Sequence, residues 1–497
     1  MIRGVGSRAT GPRTCCECAA RLASLTVAIA GLLAGCDSGG SSPASPPPAP
    51  AVTKVTLILS STANDQLSEF DISFQSISLT NASGRTVSLL SQARPSEFIH
   101  VNGTTEPLLT ATIPQGVYTA ATASVGNAQF TCVTFQPTGG LDISTFAYWQ
   151  TPNNDVTVTL PSPIVVSGNT MGLVLDMRVS QSASYGSCAH SGIVPYAITP
   201  AFNLSAFAFS SHPATAQKAA VTGLDGQITA LDSDSGGFEI QLPAYTTGAT
   251  SVHVTIDSTT VWQGIAAFTD LRQGTFIDLD GAIQGDGSIA ATRVAVEDLS
   301  AVDVQRGPLL AVWNSDSVLD MLARQQQGKD ERLVDEIFSF NNSTFRVSGQ
   351  FSNLETLPFT PSFSAANMVA GQTVYISSPA FFHYTPPPYL ATATTVTLMP
   401  QTVNGTVSGI ATSGDFIVYS VSLASYDLFP QLAVLPGQTT LLNNPSVVEV
   451  YADTNTAMLT SSAPALGDTL RFYGLVFNDH GTLRMDCAQI SPGVTPH

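Results

Sequence analysis

A two-residue alternation of apolar and polar positions dominates the chain after residue 52. Val55, Leu57 and Leu59 alternate with Lys54, Thr56 and Ile58, and Phe70, Ile72 and Phe74 alternate with Asp71 and Ser73. That period sends successive side chains to opposite faces of a strand. The apolar parity then changes to Ile77 and Leu79, which predicts a bulge near Gln75. Further strand-like runs at 113–125, 130–135, 156–160, 173–179 and 202–209 are punctuated by turn sequences such as Asn81-Ala82-Ser83-Gly84 and Pro114-Gln115-Gly116. Strands at this spacing, with no helical period between them, predict an antiparallel β-sandwich over residues 53–212.

The second half of the chain repeats itself. A short strand opening with Phe occurs at Phe238-Glu239-Ile240, Phe345-Arg346-Val347 and Phe416-Ile417-Val418. A second signature, an apolar residue followed by a Gly turn and a strand, is anchored at Gly274, Gly371 and Gly467, 97 and 96 residues apart. Gln284-Gly285-Asp286-Gly287 and Asn478-Asp479-His480-Gly481 read as tight hairpin turns, where Gly accepts a positive φ at little cost. Three units follow, 216–303, 305–400 and 402–495, each the size of a small closed barrel of the OB type. The expected fold class is therefore all-β, a sandwich followed by three OB-like barrel repeats, strung along the chain. Only residues 315–325 look helical: Ser315 could cap, and Val318, Leu319 and Leu322 share one helical face.

The N-terminus has another character. Arginines precede an apolar run over residues 22–34, which at 13 residues is too short for a bilayer-spanning helix of ~20. Leu33-Ala34-Gly35-Cys36 closes that run and resembles the bacterial lipoprotein lipobox. The resemblance implies removal of residues 1–35, diacylglycerol on the Cys36 sulfur and N-acylation, so that several acyl chains anchor the protein. Residues 36–52 are Gly-, Ser- and Pro-rich and read as a tether reaching roughly 45 Å at ~3.1 Å per residue. Exported and lipid-anchored, the chain would sit on the periplasmic or cell-surface face of a bacterial membrane.

Charge narrows the partners. The whole chain carries −18, and its first 35 residues hold four arginines against one glutamate, leaving −21 for the remainder. Such a chain is repelled by phosphate backbones, which argues against a nucleic-acid partner. An oxidising compartment favours a disulfide between Cys132 and Cys188, whose loop would contribute roughly 4 kcal/mol. Cys487 is left over and reads as a buried thiol rather than a nucleophile, since no histidine is placed by any local signal to activate it.

Two further resemblances cover most of the mature chain. At Ile113-Pro114-Gln115-Gly116-Val117-Tyr118, Gly172-Leu173-Val174-Leu175-Asp176-Met177 and Ile198-Thr199-Pro200-Ala201-Phe202, the first domain resembles a domain of unknown function found at the N-terminus of bacterial lipoproteins. That resemblance implies a secreted β-sandwich and transfers no catalytic residues. Gly223-Leu224-Asp225-Gly226-Gln227-Ile228, with Gly281 and Gly287-Ser288-Ile289-Ala290-Ala291, is similar to a second uncharacterised family of secreted barrel repeats.

No motif for nucleophilic, metal or phosphate chemistry occurs in the mature chain, and the histidines are scattered, so neither enzymatic activity nor a cofactor or metal is expected. Asp232-Ser233-Asp234-Ser235-Gly236 starts like a calcium loop, but its twelfth position is Pro243 and the match fails. Aromatic clusters are the candidate ligand contacts: Phe382, Tyr384 and Tyr389 in a proline-rich segment, and Tyr148 and Trp149 in the first domain. Such rings stack on sugars or hold peptides, or else pack between domains. The sequence thus points to a membrane-anchored binding or scaffolding module for an envelope glycan or protein. The alternatives are an envelope enzyme with a site built from inter-domain loops, and an architectural spacer.

Overall fold

In the computed structural model, residues 51–62, 67–90, 92–132, 134–135, 141–142, 154–182, 200–207, 209, 217–232, 236–242, 251–296, 303–323, 325–326, 334–349, 354–379, 390–434 and 441–494 are described. They belong to one compact unit, Pro50–His497. The fold is all-β.

The first domain contains β1 (Val52–Ser61), β2 (Leu67–Asn81), β3 (Thr86–Leu90), β4 (Arg94–Glu97), β5 (Glu106–Pro114), β6 (Gly116–Cys132), β7 (Thr134–Phe135), β8 (Leu141–Asp142), β9 (Asn154–Val166), β10 (Thr170–Met177) and β11 (Phe202–Phe207). One sheet has the order β11-β10-β1-β5 and the other β3-β2-β6-β9, with β4 also on β2. Leu57, Phe70, Phe74, Phe98 and Leu173 fill the single core between them. The expected bulge is present: the β2–β6 register slips between Phe74 and Ser76, leaving Gln75 as the extra residue. One expectation is corrected. β1 and β10 run parallel, so the sandwich is not wholly antiparallel.

The remaining strands form three closed rings of one design. The first ring uses β12 (Ala220–Asp232), β13 (Gly237–Gln241), β14 (Ser251–Thr255), β15 (Val261–Gln263), β16 (Phe276–Ile283) and β17 (Ile289–Val296). It runs β14-β13-β12-β16-β17 and closes through a parallel β14–β17 pair, with β15 added parallel to β17. The second uses β18 (Asp303–Trp313), β19 (Val318–Ala323), β20 (Gln325–Gln326), β21 (Val334–Ser339), β22 (Thr344–Val347), β23 (Thr373–Ser378), β24 (Leu390–Thr392) and β25 (Thr395–Leu398). β24 and β25 together take the closing position: β24 pairs parallel with β21, and β25 pairs with β23. The third uses β26 (Gln401–Ser413), β27 (Phe416–Leu423), β28 (Val447–Ala452), β29 (Ala457–Met458), β30 (Thr469–Asp479) and β31 (Thr482–Pro492), and closes by parallel β28–β31 pairing.

The three anchor glycines occupy equivalent places. Each has a left-handed backbone, with φ of 85°, 91° and 88° at Gly274, Gly371 and Gly467. Each donates its N–H to the ring's first strand, at Ile228 (2.7 Å), Leu309 (2.7 Å) and Val407 (2.9 Å). The residue accepting that bond begins a bulge in all three rings. His480 and Gly481, both at positive φ, make the two-residue turn between β30 and β31.

The second ring corrects two expectations. Residues 315–325 are not helical: Asn314–Ser317 is a turn, with Ser317 at φ 54°, and β19 follows. β19 is buried on both faces, so its apolar residues run on without alternation and mimic a helical stripe. Phe345 also changes place. Phe238 and Phe416 lie on the second strand of their rings, whereas Phe345 lies on β22, which corresponds to β15 and β29.

The domains do not hang as separate beads. Ile58 and Val174, on the outer face of the sandwich, join the core of the first ring with Phe207. Phe416, Tyr451, Leu475 and Phe477 of the third ring share a core with the second. Phe359 seals that contact, with ring centroids 5.0 Å from Tyr451 and 5.9 Å from Phe477, and Arg484 lies over its face at 5.4 Å. Phe477→Ala should therefore destabilise both rings, by about 3–5 kcal/mol. Urea unfolding followed by tryptophan fluorescence measures this, and a loss below about 1 kcal/mol would refute the shared core.

Candidate functional site

β4 ends on Glu97, the turn after it carries His100, and β5 opens with Glu106. Folding back of the chain brings the three together. His100 Nδ1 lies 2.8 Å from Glu97 Oε2, and Nε2 lies 2.7 Å from Glu106 Oε1. Glu97 also accepts the backbone N–H groups of Phe70 (2.9 Å), Ile99 (2.8 Å) and His100 (2.9 Å). All three side chains are buried. Burial alone would depress the imidazole pKa, but the two carboxylates outweigh it and hold His100 well above its ordinary 6.5. Burial likewise works against the Glu97 carboxylate, and its hydrogen bonds and the His100 charge bring it below 4.5.

The same turn touches two of the rings. Thr105 Oγ1 donates to the Ala220 carbonyl (2.7 Å), and Thr104 Oγ1 accepts from Thr222 N (3.1 Å). Arg471 of the third ring donates to Asn102 Oδ1 (2.8 Å) and to the Ser61 carbonyl (2.9 Å). A cavity of about 80 Å³ lies alongside, lined by His100, Asn102, Arg306, Gln401, Thr402 and Tyr473.

A second charged group adjoins the first. Asp225 on β12 and Asp278 on β16 are cross-strand partners. Arg293 of β17 contacts Asp278 and reaches Asp280 at 2.5 Å, while Asp280 accepts the Gly223 N–H at 2.8 Å. Burial and then the Asp278 charge push the Asp225 carboxyl up to about 7, against the pull of Arg306. Arg306 comes from the second ring and also lies against the Tyr473 hydroxyl of the third. Carboxylates crowded this way in a partly dry site can keep a proton near neutral pH.

Asp278 and Arg293 also border a cleft of about 960 Å³ between the first and second rings. Its walls carry hydroxyl, amide and guanidinium groups, among them Gln263, Arg346, Tyr375 and Thr397. No protein-family model matches the chain, and no curated protein matches it in sequence. Among the described residues, no group of His, Cys, Asp or Glu is placed to hold a metal ion.

Most residues singled out from sequence lie outside the described residues: Cys36, Cys188, Tyr148, Trp149, Phe382, Tyr384 and Tyr389. Cys132 ends β6, but its side chain is not described, so the disulfide lies outside what the structure covers. Cys487 is a buried free thiol; burial raises its pKa, and its Sγ lies 3.4 Å from the Gln489 carbonyl oxygen. The charged junction was missed. Its one local signal is the spacing Glu97-x-x-His100, and every other member comes from a distant strand.

These shifts set the pH response. His100, raised in the folded state, contributes stability that is full below 6.5 and lost as pH rises through its elevated value. Glu97, lowered, contributes above 4.5 and loses its share as pH falls through its depressed value. His100→Gln strands two buried carboxylates and should cost about 3–5 kcal/mol near neutral pH. Asp225 has the opposite sense: raised to about 7, it weakens the fold as pH climbs from its ordinary 3.8 through 7. Asp225→Asn should gain on wild type between pH 5 and pH 8 in denaturant melts, and a flat difference would exclude the shift.

Proposed function

We propose that this chain is a lipid-anchored protein of the bacterial cell envelope, fixed through acylated Cys36, whose folded part binds a polar ligand in the cleft between the first two rings. The lipobox-like Leu33-Ala34-Gly35-Cys36 supports the anchor. The observation that carries the binding reading is the cleft's size and chemistry: about 960 Å³, walled by hydrogen-bonding side chains from two separate sheets. Such walls suit an envelope glycan, whose hydroxyls replace water at each position. The common ring order, with parallel closure, supports reading the three units as OB-like barrels.

One observation favours a second reading, an enzyme acting in the same cleft. Asp278 lines it, and cross-strand pairing sets Asp225 next to Asp278, where burial and that charge push its carboxyl up to about 7, the range of a general acid. Asp225→Asn separates the two: retained binding with no turnover in either form supports a binding module, whereas turnover abolished by the variant identifies an enzyme.

Two experiments test the main proposal. Cys36→Ala should release the protein from sedimented membranes and abolish labelling by radioactive palmitate; a variant still sedimenting with membranes ends the anchor hypothesis. Purified protein should be retained on insoluble cell-wall glycan, and Thr397→Trp, which fills the cleft, should lower retention at least about tenfold, the effect of losing about 1.4 kcal/mol of affinity. Undiminished retention would move the site elsewhere.

A further inference from the structure

The cleft has an uneven charge. After Cys36 the chain holds 35 acidic residues against 14 basic ones, yet the cleft walls carry two arginines, Arg293 and Arg346, and one carboxylate, Asp278. Arg293 is neutralised by Asp278 and Asp280. Arg346 is exposed and has no hydrogen bond or ion pair among the described residues. Among the described residues, Arg346 is therefore a guanidinium without an ion partner on the wall of this cleft, in a strongly acidic protein.

The strands fix what surrounds it. Phe345 and Val347 on β22 pack against the core, so Thr344 and Arg346 face away from it, toward the cleft. Tyr375, Thr397 and Arg346 are register partners across β23, β25 and β22, and Ser377, Thr395 and Thr344 form the next row. The wall thus presents hydroxyls at the strand repeat, with a guanidinium at the end of one row. Gln263 of β15 borders the cleft from the other ring. A guanidinium offers five donors in a planar fork that fits a carboxylate in two parallel hydrogen bonds.

We propose that this cleft selects an acidic oligosaccharide, its hydroxyls lying along the Thr and Ser rows and its carboxylate paired with Arg346. The proposal rests on the binding reading above and adds the charge of the ligand.

Calorimetry on the full-length chain in detergent micelles tests it, with a hyaluronan tetrasaccharide as the acidic probe and chitotetraose as the neutral one. Wild type should bind hyaluronan at least tenfold more tightly. Arg346→Gln should erase that preference by lowering hyaluronan affinity far more than chitotetraose affinity, with the thermal midpoint unchanged, and Arg346→Lys should restore only part of it. Equal wild-type affinity for the two sugars, or a preference surviving in Arg346→Gln, overturns acid selection but leaves the binding cleft standing. Binding of neither sugar sinks both.

Discussion

The fold depends on a charge placed where water does not reach. His100 sits between Glu97 and Glu106, and all three are buried. Two carboxylates this close to one another and out of water are unfavourable without a cation between them. The ring supplies that charge and holds the turn 97–106 in one shape. Everything that turn touches follows from that shape: Thr104 and Thr105 meet the first ring, and Asn102 meets Arg471 and Thr402 of the third. Arg306 of the second ring closes the circle toward Asp225 and Tyr473. A polar junction of this kind specifies one arrangement, because each displaced member would leave a buried charge unpaired. The apolar seams at Ile58 and Phe477 then add burial to an orientation already chosen.

The sequence disclosed what is repeated locally and hid what is assembled at a distance. Alternation located the sandwich strands, and a parity change located the bulge at Gln75. Gly274, Gly371 and Gly467 were visible because a left-handed residue before a strand has few substitutes. The pattern failed where burial covers both faces. β19 reads as an apolar stripe and so suggests a helix where a strand stands, and the Phe of the repeat signature then falls at Phe345, on a non-equivalent strand. Ile58 hid in the same way: in an exposed-face position of an alternating strand, it is the residue that another core covers. The junction had no such pattern. Asp225, Asp278, Arg306 and Tyr473 are spread over some 250 positions, and only strand pairing brings them together.

The three rings share a frame and have diverged in what they do with it. In the first and second, the strand added parallel to the closing strand borders the open cleft: Gln263 on β15 and Arg346 on β22. In the third, the equivalent region of β29 and β31 faces the sandwich and the first strand of ring one, across a smaller space of about 380 Å³. One surface has thus been used once as the wall of a docking face and twice as the wall of a cleft. The glycine anchors and ring closure leave that face unconstrained, so each ring can carry different side chains there.

Parallel closure sets a timetable. Each ring is sealed by its last strand, and in the third that strand is β31. Arg471, on the neighbouring β30, reaches back 410 positions to the Ser61 carbonyl. A ribosome delivers the N-terminal sandwich long before that partner exists. For the whole interval, Asn102 and the His100 turn wait without one of their neighbours. A later-made ring therefore completes the earlier sandwich, and a chain interrupted before β30 would betray itself by an open junction.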